Sequence, residues 1–283
     1  MPNSIFLFDN LADAATLAAS STAGSTMAVA NLQDPQRSKF WRSGAGTSSY
    51  INGTLAAVRG VSHLGLVDLN LSTIGTIRVQ FWTDSLGGSA GVLDTTVSPT
   101  LYIEDERTPA HFGVGPFGRG PFGVGAITQD QARNITIIPF GTTVTAGYWR
   151  VTFTDTAGSY QQCGRLFLAK AVEFEQNLSY GWGAEAVDET VQRYSLGKQR
   201  YYNAIDRRLR MRGTFEWMTE DERTRMTKRV INWGQHRPLI YSIFPESTNR
   251  GLVTTVYGHF ESAGITNPGY GQNALAFTVL EDN

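Results

Sequence analysis

Stretch after stretch of this chain switches between apolar and polar side chains at every residue. A period of two is the geometry of a half-buried β-strand, whose successive side chains point to opposite faces. Val67-Asp68-Leu69-Asn70-Leu71 alternates in this way. In the next run, Ile74, Thr76, Arg78 and Gln80 interleave with Gly75, Ile77, Val79 and Phe81. The Ser72-Thr73 break makes the two runs a hairpin or a strand-to-strand corner. Tyr148–Thr154 and Gly164–Lys170 read as further strands, and Ala171–Phe174 continues the second of these. Ile5–Phe8 and Lys39–Ser43 are short strands nearer the start. Many short strands punctuated by turns predict a β-sandwich.

Turn chemistry fills the gaps. The alanine- and serine-rich stretch from Leu11 to Ala30 is expected to follow an irregular or extended path. In Asn31-Leu32-Gln33-Asp34-Pro35 the proline bars a helix at Asp34. Residues 112–125 read FGVGPFGRGPFGVG, which repeats Gly-Pro-Phe-Gly. Glycine frees φ and proline fixes it, so this is a loop. Its Phe112, Phe117 and Phe122 carry apolar surface that must pack on the same domain or on another subunit.

Past residue 171 the texture changes. Arg208-Leu209-Arg210-Met211-Arg212 is a strand with three arginines on one face; Leu209 and Met211 take the other, joined by Phe215. The arginines are either an interface stripe that pairs with acids or a solvated face. Thr219-Glu220-Asp221-Glu222 is a capping box at the positive end of a helix over about 220–233. Met226, Val230 and Trp233 form its apolar stripe, and Gly234 ends it. Strands resume at Pro238–Ile243, Leu252–Phe260 and Leu275–Leu280. The expected fold is mainly β: a sandwich over 1–170, then a smaller α+β domain over 171–283 with one principal helix.

Reactive groups do not converge. The four histidines lack metal-ligand spacing, and no HExxH or GxSxG motif occurs. Lone Cys163 excludes a disulfide framework and reads as a small buried hydrophobe. The acidic clusters Glu104-Asp105-Glu106 and Glu185…Asp188-Glu189 read as solvated loops. Calcium ligands could come from Asp9-Asn10 or Asp68, but no EF-type loop accompanies them. Expected, therefore, are no catalytic residues, no metal and no cofactor. A net charge of −1 offers no basic field for nucleic acid, and no apolar run is long enough for a membrane span. The start of the chain lacks a basic n-region, so synthesis and folding in the cytoplasm are expected. Charged residues are only 17% of the chain, which suits surfaces covered by neighbours.

The runs Asn10–Leu17, Ala30–Pro35 and Phe40-Trp41-Arg42-Ser43 resemble the opening of tail-associated proteins of long-tailed bacteriophages. Together with Val67–Phe81 and the Tyr148–Lys170 pair, they are also similar to the galactose-binding-like, or discoidin-like, jelly roll. The resemblance implies a structural subunit of a phage tail tip or baseplate, in the virion. It would form a homo-oligomeric ring, expected to be a hexamer, joining tube, hub and receptor-binding components. Phe112, Phe117, Phe122, Arg208, Arg210 and Arg212 are the expected subunit-interface residues. The jelly roll implies an alternative, a carbohydrate- or receptor-binding module, with Trp41, Arg42 and Tyr50 as its glycan contacts.

Overall fold

The computed structural model of the chain is described for residues 3–72, 74–98, 135–194, 198–203, 208–245, 254–269 and 272–282. These residues form strands β1 (Ile5–Leu7), β2 (Thr16–Ala19), β3 (Trp41–Arg42), β4 (Ser48–Val67), β5 (Thr76–Trp82), β6 (Gly91–Val97), β7 (Ile135–Thr154), β8 (Gln162–Cys163), β9 (Arg165–Ala169) and β10 (Ala171–Glu173). They continue with β11 (Gly183–Val187), β12 (Val191–Tyr194), β13 (Arg200–Asn203), β14 (Arg208–Met218), the helix α1 (Glu220–Trp233), β15 (Leu239–Ser242), β16 (Thr255–Gly269) and β17 (Gln272–Glu281). The protein is mainly β, as the alternation predicts.

Two 20-residue strands, β4 and β7, build the sandwich. They pair antiparallel along their length, with register shifts between Thr54 and Arg59 and between Val61 and His63. Such irregularities bend a strand. The first half of β4 and the second half of β7 therefore lie in one layer, in the order β2-β4-β7-β5-β6. Their other halves lie in the second layer, where β4 also pairs with β9. Ile51, Val79, Phe81, Trp149, Val151 and Phe153 of the first layer meet Leu64, Leu66, Ile138, Leu166 and Leu168 of the second in one core.

The 67–81 region is a corner rather than a hairpin. β4 and β5 do not pair with each other; both flank β7. Asp68 takes φ of 55° at the corner, and Leu69 and Leu71 are buried beneath it. Asp155 closes the far side, its carboxylate accepting from the Ser72 backbone and hydroxyl, both at 2.7 Å. The opening segment is stapled across the end of β9. Asn10 donates to the Leu166 carbonyl and accepts from Leu168 N, and buried Arg165 donates to Asp13 and to the Leu32 carbonyl. The turn residues Asn31 and Gln33 spend their amides on backbone carbonyls of Thr26, Phe40, Ala12 and Ala15.

The second half forms a seven-stranded antiparallel sheet, ordered β10-β1-β15-β16-β17-β14-β11. Its composition departs from a simple division at 170. The first strand of the chain sits here, between β10 and β15, with Leu7 opposite both Ala171 and Ile240. The sandwich is thus threaded between two neighbouring strands of this sheet. Period two explains why β1 fits: Phe6 faces one side, Ile5 and Leu7 the other. On the Phe6 side an aromatic cluster forms, with Phe6 stacked on Tyr241 at 4.4 Å and edge-on to Phe277 at 5.1 Å.

Helix α1 closes that side. Thr219 accepts from Glu222 N while Glu222 accepts from Thr219 N, the expected capping box, and Gly234 is the C-cap. Met226 and Trp233 are buried and Val230 is partly so. On the other face, Ile5, Leu7, Ile240 and Tyr257 pack on Val67, Phe167 and Ala169 of the sandwich. The approach is close enough that a Cβ on Gly65 would stand 2.5 Å from Ile240 Cδ1. The second sandwich layer is therefore buried on both faces, which is why Arg165–Ala169 shows no exposed position.

One guanidinium ties the two halves at the rim of this contact. Arg37 Nε donates to Asp68 Oδ2 at 2.9 Å, and Nη1 donates to Glu281 Oε1 at 3.1 Å. Tyr257 adds a hydrogen bond to the Pro35 carbonyl at 3.1 Å.

Candidate functional site

The three expected glycan contacts fall in three different environments. Trp41 is fully buried among Phe153 and its neighbours, with Nε1 donating to the Ser21 carbonyl at 3.2 Å. It is a core residue and cannot face a sugar. Alternation on a two-residue strand is the reason: if Arg42 points out, Trp41 points in.

Arg42 stands in an end cluster of the sandwich, where β3 pairs with β8. Its guanidinium lies 4.3 Å from the centroid of the Tyr160 ring and 5.4 Å from that of Phe40. Gln162 Oε1 accepts from Arg42 Nε at 3.2 Å and from Nη2 at 2.8 Å. Asn70 locks the frame: its Oδ1 accepts from Gln162 N at 2.6 Å, and its Nδ2 donates to the Tyr160 carbonyl at 3.3 Å. Tyr160 is 36% exposed, so its ring is offered to solvent beside the cation. Sequence reading missed Tyr160 and Gln162. The signal was an aromatic two residues before a strand in a serine- and glycine-rich turn, which distance along the chain separates from Arg42.

Tyr50 belongs to the outward face of β4, where the Arg150 guanidinium lies 4.7 Å from its ring centroid. The segment Ser20–Ala23 runs past both places: Tyr50 N donates to Ser20 Oγ, and Ala23 N donates to the Arg42 carbonyl.

The arginine stripe finds partners within its own chain. Arg208 pairs with Glu189, and Arg210 with Glu185 at 3.0 Å and Glu261 at 2.7 Å. The acids Glu185 and Glu189 thus neutralise a strand face, with Asp188 accepting from Thr190 N. Arg212 packs over Gly183. Phe112, Phe117 and Phe122 lie outside the described residues, as do Glu104-Asp105-Glu106. β12 and β13 form a ribbon joined to no other described strand, with Val191 and Tyr201 exposed.

Cys163 and His63 are poorly placed to serve as a nucleophile or a base. Cys163 is fully buried, and burial with Asp68 nearby pushes its thiol up to about 12, so no thiolate forms near neutrality. Burial pushes the His63 imidazole down to about 4. Among the described residues no three His, Cys, Asp or Glu side chains are grouped as metal ligands, and no helix is long and apolar enough to cross a membrane.

No family model matches the chain, and no curated protein matches it. Among solved structures, chitosan-binding module 1 from a chitosanase/glucanase of Paenibacillus sp. IK-5 covers 58% of this chain and 100% of its own at 20% identity, with a TM-score of 0.39. The family 32 carbohydrate-binding module of C. perfringens NanJ, in complex with galactose, covers 60% and 100% at 11% identity, with a TM-score of 0.38. A Ruminococcus gnavus GH29 fucosidase covers 59% of this chain and 28% of its own at 12% identity, with a TM-score of 0.39. Scores this low say nothing of what this chain binds.

Proposed function

We propose that the protein is a non-catalytic carbohydrate-recognition module whose end cluster, Arg42, Tyr160 and Gln162, takes a sugar. The observation that carries this reading is the exposed Tyr160 ring held beside a guanidinium that Gln162 and Asn70 orient. A pyranose has an apolar C–H face and an equatorial rim of hydroxyls. An aromatic ring complements the first; a fixed planar donor fork and carboxamides complement the second. Arg42 spends only Nε and Nη2 on Gln162 among the described residues, which leaves Nη1 for a ligand hydroxyl. The test is a glycan array probed with the full chain, with hits followed by calorimetry. Tyr160→Ala, which removes the ring, and Arg42→Gln, which removes a hydrogen bond from a charged group, should each weaken binding about tenfold or more, with the thermal midpoint falling by no more than a few degrees. A blank array, or hits indifferent to both changes, rejects the reading.

A second reading is a structural subunit of a phage tail tip or baseplate; the β12–β13 ribbon, paired with no other described strand, bears only on the coarser point that another surface covers it. An isolated two-stranded ribbon is marginal in water unless something covers it. In that reading a second copy or a tail protein covers Val191 and Tyr201, and Arg208, Arg210 and Arg212 border the same interface. Solution mass of the purified chain and electron microscopy of particles test it. A monomer absent from particles defeats it.

A further inference from the structure

The outward face of the β2-β4-β7-β5-β6 layer carries a second arginine–aromatic cluster. Side chains read straight across it: Asn52 of β4 stands opposite Arg150 of β7, Arg150 opposite Gln80 of β5, and Gln80 opposite Asp94 of β6. Arg150 is at the centre. Its Nε donates to Asn52 Oδ1 at 2.8 Å, and its guanidinium lies 4.7 Å from the Tyr50 ring centroid and 5.9 Å from that of Trp82. Trp82 is 6% exposed and backs the cation, whereas Tyr50, 37% exposed, keeps ring surface in solvent.

Among the described residues no carboxylate pairs with Arg150. The acid in its row, Asp94, is held by Arg78 at 2.8 Å and Gln80 at 3.1 Å. Its partners are a carboxamide and two π-faces, all neutral, and neither Nη group has a protein acceptor among the described residues. A guanidinium partly stripped of water by aromatic rings is a strong bidentate site for a planar anion. Adjacent strands are about 4.8 Å apart, so the row from β2 to β6 spans about 19 Å of outward-facing surface. That extent suits a chain molecule lying across the strands. Tyr50 suits a ring with an apolar face, and Asn52 and Gln80 suit hydroxyls.

We propose that this sheet face binds an acidic saccharide, seating a uronate carboxylate on Arg150 and the sugar face on Tyr50. This site is separate from the end cluster and does not depend on it. The experiment titrates the full chain at low ionic strength with trigalacturonate and with the neutral galactotriose of the same linkage, read by calorimetry and by the NMR shift of the Arg150 Nε–H. The acidic trimer should bind about tenfold or more tightly than the neutral one and move the Arg150 resonance. Arg150→Gln should remove that preference, and Tyr50→Ala should weaken binding several-fold. Equal affinity for the two trimers, no binding of either, or a stationary Arg150 resonance overturns the proposal. The resonance decides even if Arg150→Gln fails to fold. Loss of neutral-sugar binding in Arg42→Gln tests the end cluster alone, so the two sites fail independently.

Discussion

The indole of Trp149 occupies the space that a side chain on Gly53 would need. The two residues face each other across the β4–β7 ladder, and a Cβ on Gly53 would stand 2.0 Å from the Trp149 ring. Trp149 is 1% exposed and lies in the sandwich core, so it has nowhere to retreat. Gly53→Ala should therefore cost about 3 kcal/mol, the range of overpacked cores and displaced aromatics. Gly264→Ala is the control: nothing lies within 4 Å of its would-be Cβ. It should be neutral, or stabilise by about 0.5 kcal/mol through the unfolded chain. Urea denaturation of both variants checks the contrast, and equal midpoints would refute the steric argument.

Arg37 is expected to behave as a clamp between the halves. Glu281 is 1% exposed; its carboxylate accepts from Arg37 and from Leu209 N at 2.7 Å. Removing the cation takes from that buried carboxylate, and from Asp68, the guanidinium that each accepts from. Arg37→Met should cost about 3 kcal/mol. Adding Glu281→Gln should recover part of the loss, and a double-mutant cycle on unfolding free energies measures the coupling. Strictly additive effects would show that the pair does not act together.

What could be read from the residues follows the range of each interaction. Helix α1 is local: Thr219, Glu222 and Gly234 are its cap residues, as their spacing predicts. The burial of Leu209, Met211 and Phe215 likewise follows from a period of two. The neighbours of a strand are set by contacts far along the chain. Nothing within Ile5–Leu7 says that it pairs with residues 171–173 and 240–242 rather than with the sandwich. The same limit hid the candidate sites. Arg42 meets Tyr160, and Tyr50 meets Arg150, only after β4 and β7 fold back on each other.

Acid should weaken the protein through His63. Burial holds its folded pKa near 4, below the ordinary 6.5. Its Nδ1 lies 2.8 Å from Ser62 Oγ, which in turn accepts from Ala171 N. Because the folded value is depressed, the unfolded chain binds the proton first as pH falls. Stability is intact above about pH 6.5 and is lost progressively toward pH 4; by pH 5 the loss is about 2 kcal/mol. His63→Asn lacks the titrating group. Its urea midpoint should change less between pH 7 and pH 5 than that of the wild type, whatever its value at pH 7. Parallel curves for the two proteins would exclude His63 as the source.

Trp41 and Arg42 are adjacent, yet their substitutions should separate folding from recognition. Trp41 is fully buried and Arg42 only half-buried at the rim. Trp41→Ala opens a cavity among core side chains, at a cost of about 3–5 kcal/mol. Any binding it loses would accompany a lower thermal midpoint. Arg42→Gln gives up a cation and its hydrogen bonds to Gln162 in a partly solvated setting, so the fold should lose about 1 kcal/mol or less. Its effect should appear in binding of neutral sugars. Thermal unfolding and calorimetry on both variants decide the matter. If Arg42→Gln unfolds the chain as readily as Trp41→Ala does, the end cluster is a structural brace rather than a recognition site.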